Sequence, residues 1–254
     1  MRRVIEFRTF ADDVVTARNQ DFKLPETYTW IRTGRGYQMA SDALYALFSL
    51  GASGWLRHGL HTRFIGQERL AREAQGYFLY INHTQTTGDP FLPSQLDRKR
   101  RAYVVASPSN LSVPFFGKLL PMLGALPLPN TRQGMKEFRQ AIAYRVGQNQ
   151  SVAIFPEAHV WPYYTGIRPF SDASFQFAVD TGKPVYCATV TYQRGRRGRV
   201  ERTVFVDGPF YPDDTLSRPA KRRKLAEQVY CQMRKNAKKN TVEVIRYVQR
   251  KEEA

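Results

Sequence analysis

The chain has 254 residues, 42% of them hydrophobic, enough apolar mass to fill the core of one large domain, which excludes disorder as the main state. Its 39 Lys and Arg against 22 Asp and Glu leave a formal net charge of +17, which calls for an anionic partner but does not choose among nucleic acid, anionic lipid and an acidic substrate. The two cysteines, Cys187 and Cys231, stand far apart without ligand spacing, which excludes a disulfide framework and a cysteine zinc site and fits a reducing, cytoplasmic setting.

The first forty or so residues are polar, with "TGRGY" as a turn, and read as an N-terminal arm. No apolar stretch suited to a secretory signal follows "MRRVIEFRTFADD", so the sequons at Asn82 and Asn110 are expected to be chance matches if the chain is never secreted. An apolar helix is expected over 43–56, and a second apolar stretch, "VPFFGKLLPMLGALPLP", covers 113–129. Both fall short of the roughly 20 residues that span a bilayer. Each fits either a buried core helix or a helix lying in a membrane interface.

From there strand-like runs alternate with helical ones. Strands are predicted at 62–65, 77–81, 102–106, 125–128, 152–155, 185–190 and 203–206, and helices at 67–74, 90–96, 113–123, 134–146 and 171–180. The clearest helical period is in "MKEFRQAIAYRV", where Met135, Phe138, Ile142 and Val146 share a face. This alternation predicts a single α/β domain, a largely parallel mixed sheet flanked by helices, with chemistry at the carboxyl ends of the strands. The basic segment after 210 reads as one or two helices, with "SRP" as a start and "KKNT" as a break. The predicted division is an arm and apolar helix over 1–60, a core over 61–210 and basic helices over 211–254.

Two loops at predicted strand ends carry candidate chemistry. "YINHTQTTGDP" places His83 near Asp89. An imidazole held by a carboxylate keeps one tautomer and can take a proton from a hydroxyl, a role that contributes 10²–10⁴ in rate. Asp89 before Pro90 also fits a helix N-cap, and one carboxylate can serve both purposes. "VAIFPEAHVWPYYTGIRPF" offers Glu157, as a ligand for a polar head group or as a loop carboxylate paired with an arginine, and His159 as a rival base.

Four blocks in order carry a family resemblance. "INHTQTTGDP" is similar to an Asn-His-x-x-x-x-Asp block, "VPFFGKLLPMLGALPL" to a second block, "VAIFPEAH" to a Phe-Pro-Glu-Gly block and "GKPVYCATV" to a closing Pro-Val strand. Together they resemble the lysophospholipid acyltransferases, including the bacterial 1-acylglycerol-3-phosphate acyltransferases, from about residue 60 to 190. The resemblance implies transfer of a fatty acyl group from coenzyme A or acyl carrier protein to a lysophospholipid hydroxyl, as in phospholipid biosynthesis. It implies His83 as the base, oriented by Asp89, and an acceptor site shaped by Glu157 with Asn82, Pro156, Arg132 and Arg168. No bound cofactor and no metal is implied; the thioester would be a co-substrate, and the expected place of work is the anionic inner face of the cell membrane.

The chain departs from the pattern in three places. Five residues rather than four separate His83 from Asp89, a difference that Gly88 could absorb at positive φ. Ala158 stands where the family has glycine, followed by His159, Val160 and Trp161. The arginine expected at the end of the second block aligns with Asn130, leaving Arg132 two positions on. Other readings are a non-catalytic lipid binder, a thioesterase using the same base on water, and a nucleic-acid-binding protein resting on charge and on clusters such as "DRKRR", "RGRRGR" and "KRRK".

Overall fold

The computed structural model describes residues 3–15 and 19–250. The elements in chain order are β1 (Arg3–Phe7), α1 (Arg35–Gly54), β2 (Thr62–Ile65), α2 (Glu68–Arg72), β3 (Tyr77–Ile81), α3 (Leu92–Leu96), β4 (Ala102–Ala106), α4 (Phe116–Leu119), β5 (Ala125–Pro127), α5 (Arg132–Gly147), β6 (Ser151–Ile154), α6 (Gln176–Thr181), β7 (Val185–Arg194), β8 (Val200–Phe210), α7 (Arg218–Ala237) and β9 (Ile245–Gln249). All seven predicted strands and the five helical regions of the core exist, with shifted ends.

Seven strands form one sheet in the order β2-β8-β7-β3-β6-β4-β5. Every pair is parallel except β7–β8, a hairpin. β3 lies between β6 and β7, and its five residues "YFLYI" are all buried. Alternation sends Phe78 and Tyr80 into one core with Phe138, Ile142 and Val146 of α5 and Leu225, Val229 and Met233 of α7. Tyr77, Leu79 and Ile81 go to a second core with Leu56, Leu70, Leu92 and Leu96. A strand apolar on both faces is therefore covered on both faces, as parallel sheets require.

The expected N-terminal arm and C-terminal helices need correction. α7 is one helix, and where a second helix was expected the chain forms β9, which pairs in parallel with β1 in a separate two-stranded sheet, Arg3 opposite Ile245. Residues 1–2, 16–18 and 251–254 of those ranges lie outside the described residues.

The apolar segments also differ from expectation. α1 starts eight residues before the predicted 43–56 helix and continues through a π-helical turn, Trp55–Gly59. Only Ser41 and Ala52 within α1 are buried. The predicted 113–123 helix starts only at Phe116, after Phe115 with φ +60°, and passes from α4 into a 3₁₀ turn, Leu120–Leu123, where Pro121 lacks the N–H that a continuous α-helix needs. Gly117 is required there by close approach: a Cβ would lie 1.9 Å from the Leu111 carbonyl oxygen.

Candidate active site

β3 and β6 run side by side in parallel, so the loops that leave their carboxyl ends meet. Their backbones are laced together: Trp161 N–H donates to the His83 carbonyl at 3.0 Å, and Tyr163 N–H to the Thr84 carbonyl at 2.9 Å. Across this junction the two candidate loops form one site.

His83 Nδ1 lies 2.7 Å from Asp89 Oδ2. Asp89 is fully buried, whereas the His83 side chain keeps 22% of its surface exposed, so the ring is held at one nitrogen and reachable by a ligand. Asp89 accepts two further hydrogen bonds, from Gln85 N–H to Oδ2 at 2.9 Å and from Gln85 Nε2 to Oδ1 at 3.0 Å. The Phe155 ring packs on the imidazole, centroids 4.5 Å apart. Charge, orientation and access thus converge on the free imidazole nitrogen, Nε2.

The extra residue between His83 and Asp89 is absorbed by a route the sequence did not indicate. Gly88 has φ −101°, not a positive value, and Asp89 does not cap: it is the first residue of a 3₁₀ turn, Asp89–Phe91, whose N-cap is Gly88. A glycine is still needed, because a Cβ at position 88 would meet Gln85 Oε1 at 2.4 Å. Gln85, 5% exposed, was missed. Its signal was available only as an i, i+4 spacing to Asp89, which means something once the loop is known to coil.

Glu157 reaches the site from below rather than facing a substrate. It is 5% exposed. Its Oε2 accepts from the His83 N–H at 2.9 Å and its Oε1 from the Arg168 N–H at 2.8 Å. The Arg168 guanidinium lies 3.6 Å from Oε2. Burial raises the Glu157 pKa and lowers that of Arg168, each charge drawing the other back toward ionisation. The carboxylate is a clamp between strand-end loops. Pro156 sits at the second position of the β-turn closed by Ala158 N–H on the Phe155 carbonyl, where its fixed φ suits the bend. Ala158 has φ +62°, a left-handed conformation that favours glycine, which accounts physically for the residue the pattern has there.

Three expected substrate-binding residues have internal roles instead. Arg168 is fully buried; its two terminal nitrogens donate to the carbonyls of Phe10 and His159 and it stacks on Trp161 at 4.8 Å, so both are taken up by the protein, although its Nε has no partner. Asn82 is 1% exposed and continues the β3–β7 ladder with its side chain, accepting from Val190 N–H at 2.7 Å and donating to the Val190 carbonyl at 3.1 Å. Glu157 acts as described. Arg132, by contrast, is exposed at the start of α5. It follows β5 on the same carboxyl edge, three strand spacings from β3, on the order of 14 Å away. His159 does not compete as base: its ring is 3.7 Å from Asp13 and makes no pair with Glu157.

The N-terminal segment forms the outer wall. Phe7 and Phe10 pack on Trp161, and Tyr247 of β9 stacks on its other side. Trp161 Nε1 donates to the Asp12 carbonyl. This aromatic stack seals the loop that carries Glu157.

The basic clusters do not make one surface. Lys221, Arg222 and Lys224 of "KRRK" pair with Asp214, Asp172 and Asp213. The "RGRRGR" stretch turns the β7–β8 hairpin, and "DRKRR" precedes β4 at the opposite edge of the sheet. Among the described residues no group of three His, Cys, Asp or Glu suits a metal ion, and no helix is long and apolar enough to cross a membrane.

A family model described as "Acyltransferase" matches residues 61–192, more than half of the chain. No curated protein matches. Among solved structures, the crystal structure of the 1-acyl-sn-glycerophosphate (LPA) acyltransferase PlsC from Thermotoga maritima is similar with a TM-score of 0.56 and 16% identity, covering 82% of this chain and 85% of that one. At that identity the likeness speaks for the fold, a mixed α/β domain on a mostly parallel sheet.

Proposed function

The chain belongs to the acyltransferase family, and from that premise we propose that it transfers a fatty acyl group from a thioester of coenzyme A or acyl carrier protein to the free hydroxyl of a lysophospholipid, 1-acylglycerol-3-phosphate first among them. The observation that carries the reading is the buried Asp89 carboxylate 2.7 Å from His83 Nδ1, on a ring whose side chain keeps 22% of its surface exposed. That arrangement suits a base working on a hydroxyl.

In this reading Nε2 of His83 takes the proton as the acceptor oxygen attacks the thioester carbonyl. The tetrahedral intermediate collapses with cleavage of the carbon–sulfur bond. The imidazolium then returns its proton to the departing thiolate, so no covalent enzyme intermediate forms. Asp89 holds the tautomer and offsets the charge that appears on the ring. Glu157 fixes the His83 backbone, and Arg168 keeps that carboxylate in place; both are positioning residues. Arg132 is the candidate for the acceptor phosphate, since a glycerol phosphate plus an extended arginine side chain spans a distance of on the order of 14 Å.

The enzyme's membrane face is proposed from α1. Met39, Leu47 and Leu50 of α1 and Trp55 just after it are exposed, as are Val113, Phe115, Phe116 and Leu119 of the neighbouring segment. Phe115, at 89%, is the most exposed of them. Contiguous apolar exposure of this extent marks an interaction surface, and Arg35, Arg57 and Lys118 beside it suit anionic head groups. A peripheral enzyme at the inner face of the cell membrane, with an arm, core and tail as divided above, fits these features.

The test is thiol release from acyl-coenzyme A and acyl carrier protein donors, with and without lysophosphatidate, for the unaltered chain and for His83→Ala. Acceptor-dependent release abolished in the variant is expected. Release without an acceptor would make the chain a thioesterase, and no release from any donor would overturn the reading.

A further inference from the structure

At the amino edge of the sheet, away from His83, three arginines converge. Arg101 immediately precedes β4 and Arg145 lies in the last turn of α5. Both stack on the Tyr103 ring, 5.5 and 4.4 Å from its centroid. Arg32 joins them in the wall of a cavity of about 20 Å³ whose lining includes no acidic residue. That cavity shares Gln38, Arg101, Tyr103 and Arg145 with an open groove of about 560 Å³, which Lys99, Arg100 and one acid, Asp42, also line.

The three guanidinium groups differ in what holds them. Arg101 is held by Asp42 at 2.7 Å and Ser41 Oγ at 2.6 Å. Arg32 donates from Nε to the Thr29 carbonyl and packs on Tyr28 and Tyr37. Arg145 packs on Tyr103 and Tyr144 with no acidic partner, and its Nε, like that of Arg101, is buried with no acceptor. A buried donor left unpaired is unfavourable unless something completes it. The start of α1, which contributes Tyr37, Gln38 and Ser41 to the same cavity, has no capping side chain and no acid in its first turn. Its unpaired N–H groups add positive potential at the same edge.

We propose that this edge binds the phosphate group of an organic ligand, distinct from any acceptor bound near His83. The small cavity has room for an oxygen or two of a phosphate, with Arg145 and Arg32 as its unspent donors. The adjoining groove takes the rest of the ligand. A fork of planar donors on aromatic rings is the arrangement that recognises phosphate oxygens. The same chemistry can come from a lipid head group or from a soluble phosphate.

The experiment is titration calorimetry of the full chain with two probes, inorganic phosphate and soluble dihexanoylphosphatidate, repeated with Arg145→Gln, Arg32→Gln and Arg132→Gln. Saturable binding is expected, weakened tenfold or more by Arg145→Gln and by Arg32→Gln and retained in Arg132→Gln, whose residue lies on the opposite edge. Dihexanoylphosphatidate binding tenfold or more tighter than phosphate would assign the site to a lipid head group; equal affinities would assign it to soluble phosphates. Absence of saturable binding, or equal binding by the unaltered chain and both amino-edge variants, would overturn the proposal. Arg32 comes from a surface segment, so its variant tests the site even if Arg145→Gln does not fold. Acyl transfer is not the readout, so the result stands apart from the proposed activity.

Discussion

Asp89→Asn isolates what the buried carboxylate does. Asp89 Oδ2 accepts from both His83 Nδ1 and the Gln85 N–H, and Oδ1 accepts from Gln85 Nε2. An asparagine has one acceptor oxygen, so whichever way it turns, an NH₂ group faces a former donor. If that group takes the Oδ2 position, the imidazole must present an unprotonated Nδ1 to it. Its proton then moves to Nε2, the nitrogen needed as base. If it takes the Oδ1 position, Gln85 must turn its amide over, and its buried Oε1, which has no partner, gains one. That second arrangement preserves the tautomer but loses the negative charge that offsets the imidazolium. Either way a loss of about 10²–10⁴ in kcat is expected, equivalent to roughly 3–5 kcal/mol of barrier. The assay is initial-rate thiol release with lysophosphatidate at saturating donor, with melting temperature and near-ultraviolet circular dichroism as controls for folding. The double variant with His83→Ala should be no slower than His83→Ala alone, since the two residues act as a unit. A folded Asp89→Asn protein that keeps kcat within about threefold of the unaltered chain would refute the reasoning, because a full tenfold corresponds to only about 1.4 kcal/mol.

Glu157→Gln leaves Arg168 buried beside a neutral partner and is expected to destabilise the fold by about 3 kcal/mol or more, read by chemical denaturation; a change under about 1 kcal/mol would mean that the clamp is not an ion pair in solution. Ala158→Gly removes a left-handed φ of +62° and should stabilise by about 0.5–1 kcal/mol, the relief of strain less the extra freedom of an unfolded glycine; a lower denaturation midpoint would contradict that account. Burial pushes the Cys187 thiol pKa far up while Cys231 is exposed, so a thiol reagent should label one cysteine in the native protein and both in denaturant. Rapid labelling of two in the folded state would show that β7 opens. Replacing Phe115 and Phe116 together by Asp should reduce sedimentation with anionic vesicles at least tenfold and leave transfer to a water-soluble acceptor unchanged; undiminished vesicle binding would move the membrane face elsewhere.

The parts of this molecule that were legible in the sequence are those whose causes are local. "YFLYI" has no charged residue, and its two tyrosine hydroxyls find partners inside the protein, so it reads as a strand covered on both faces, and it lies at the centre of the sheet. His83 and Asp89 lie six positions apart, and a single loop can bring them together. The π-helical turn at the end of α1 and the broken helix over 113–123 were less legible, because capping and proline effects settle boundaries only once neighbours are in place.

What lay beyond the sequence was the use made of polar side chains by distant backbone. Asn82 looked like a binding residue until Val190, 108 positions away, proved to occupy both ends of its amide. Arg168 looked free to hold a phosphate until the N-terminal segment and the His159 carbonyl claimed its donors. "IRYVQ" became a strand because β1, at the other end of the chain, offered a partner edge, while the local signals around it indicated a helix. The sequence by itself determined the alternation of strands and helices, the two-sided burial of the sheet and the pairing of His83 with Asp89, since hydrophobic period and short loops act over a few residues. Only the tertiary structure decided which charged and amide groups remain available to a ligand, because a hydrogen-bond donor is spent or unspent according to what the rest of the chain brings within 3 Å of it.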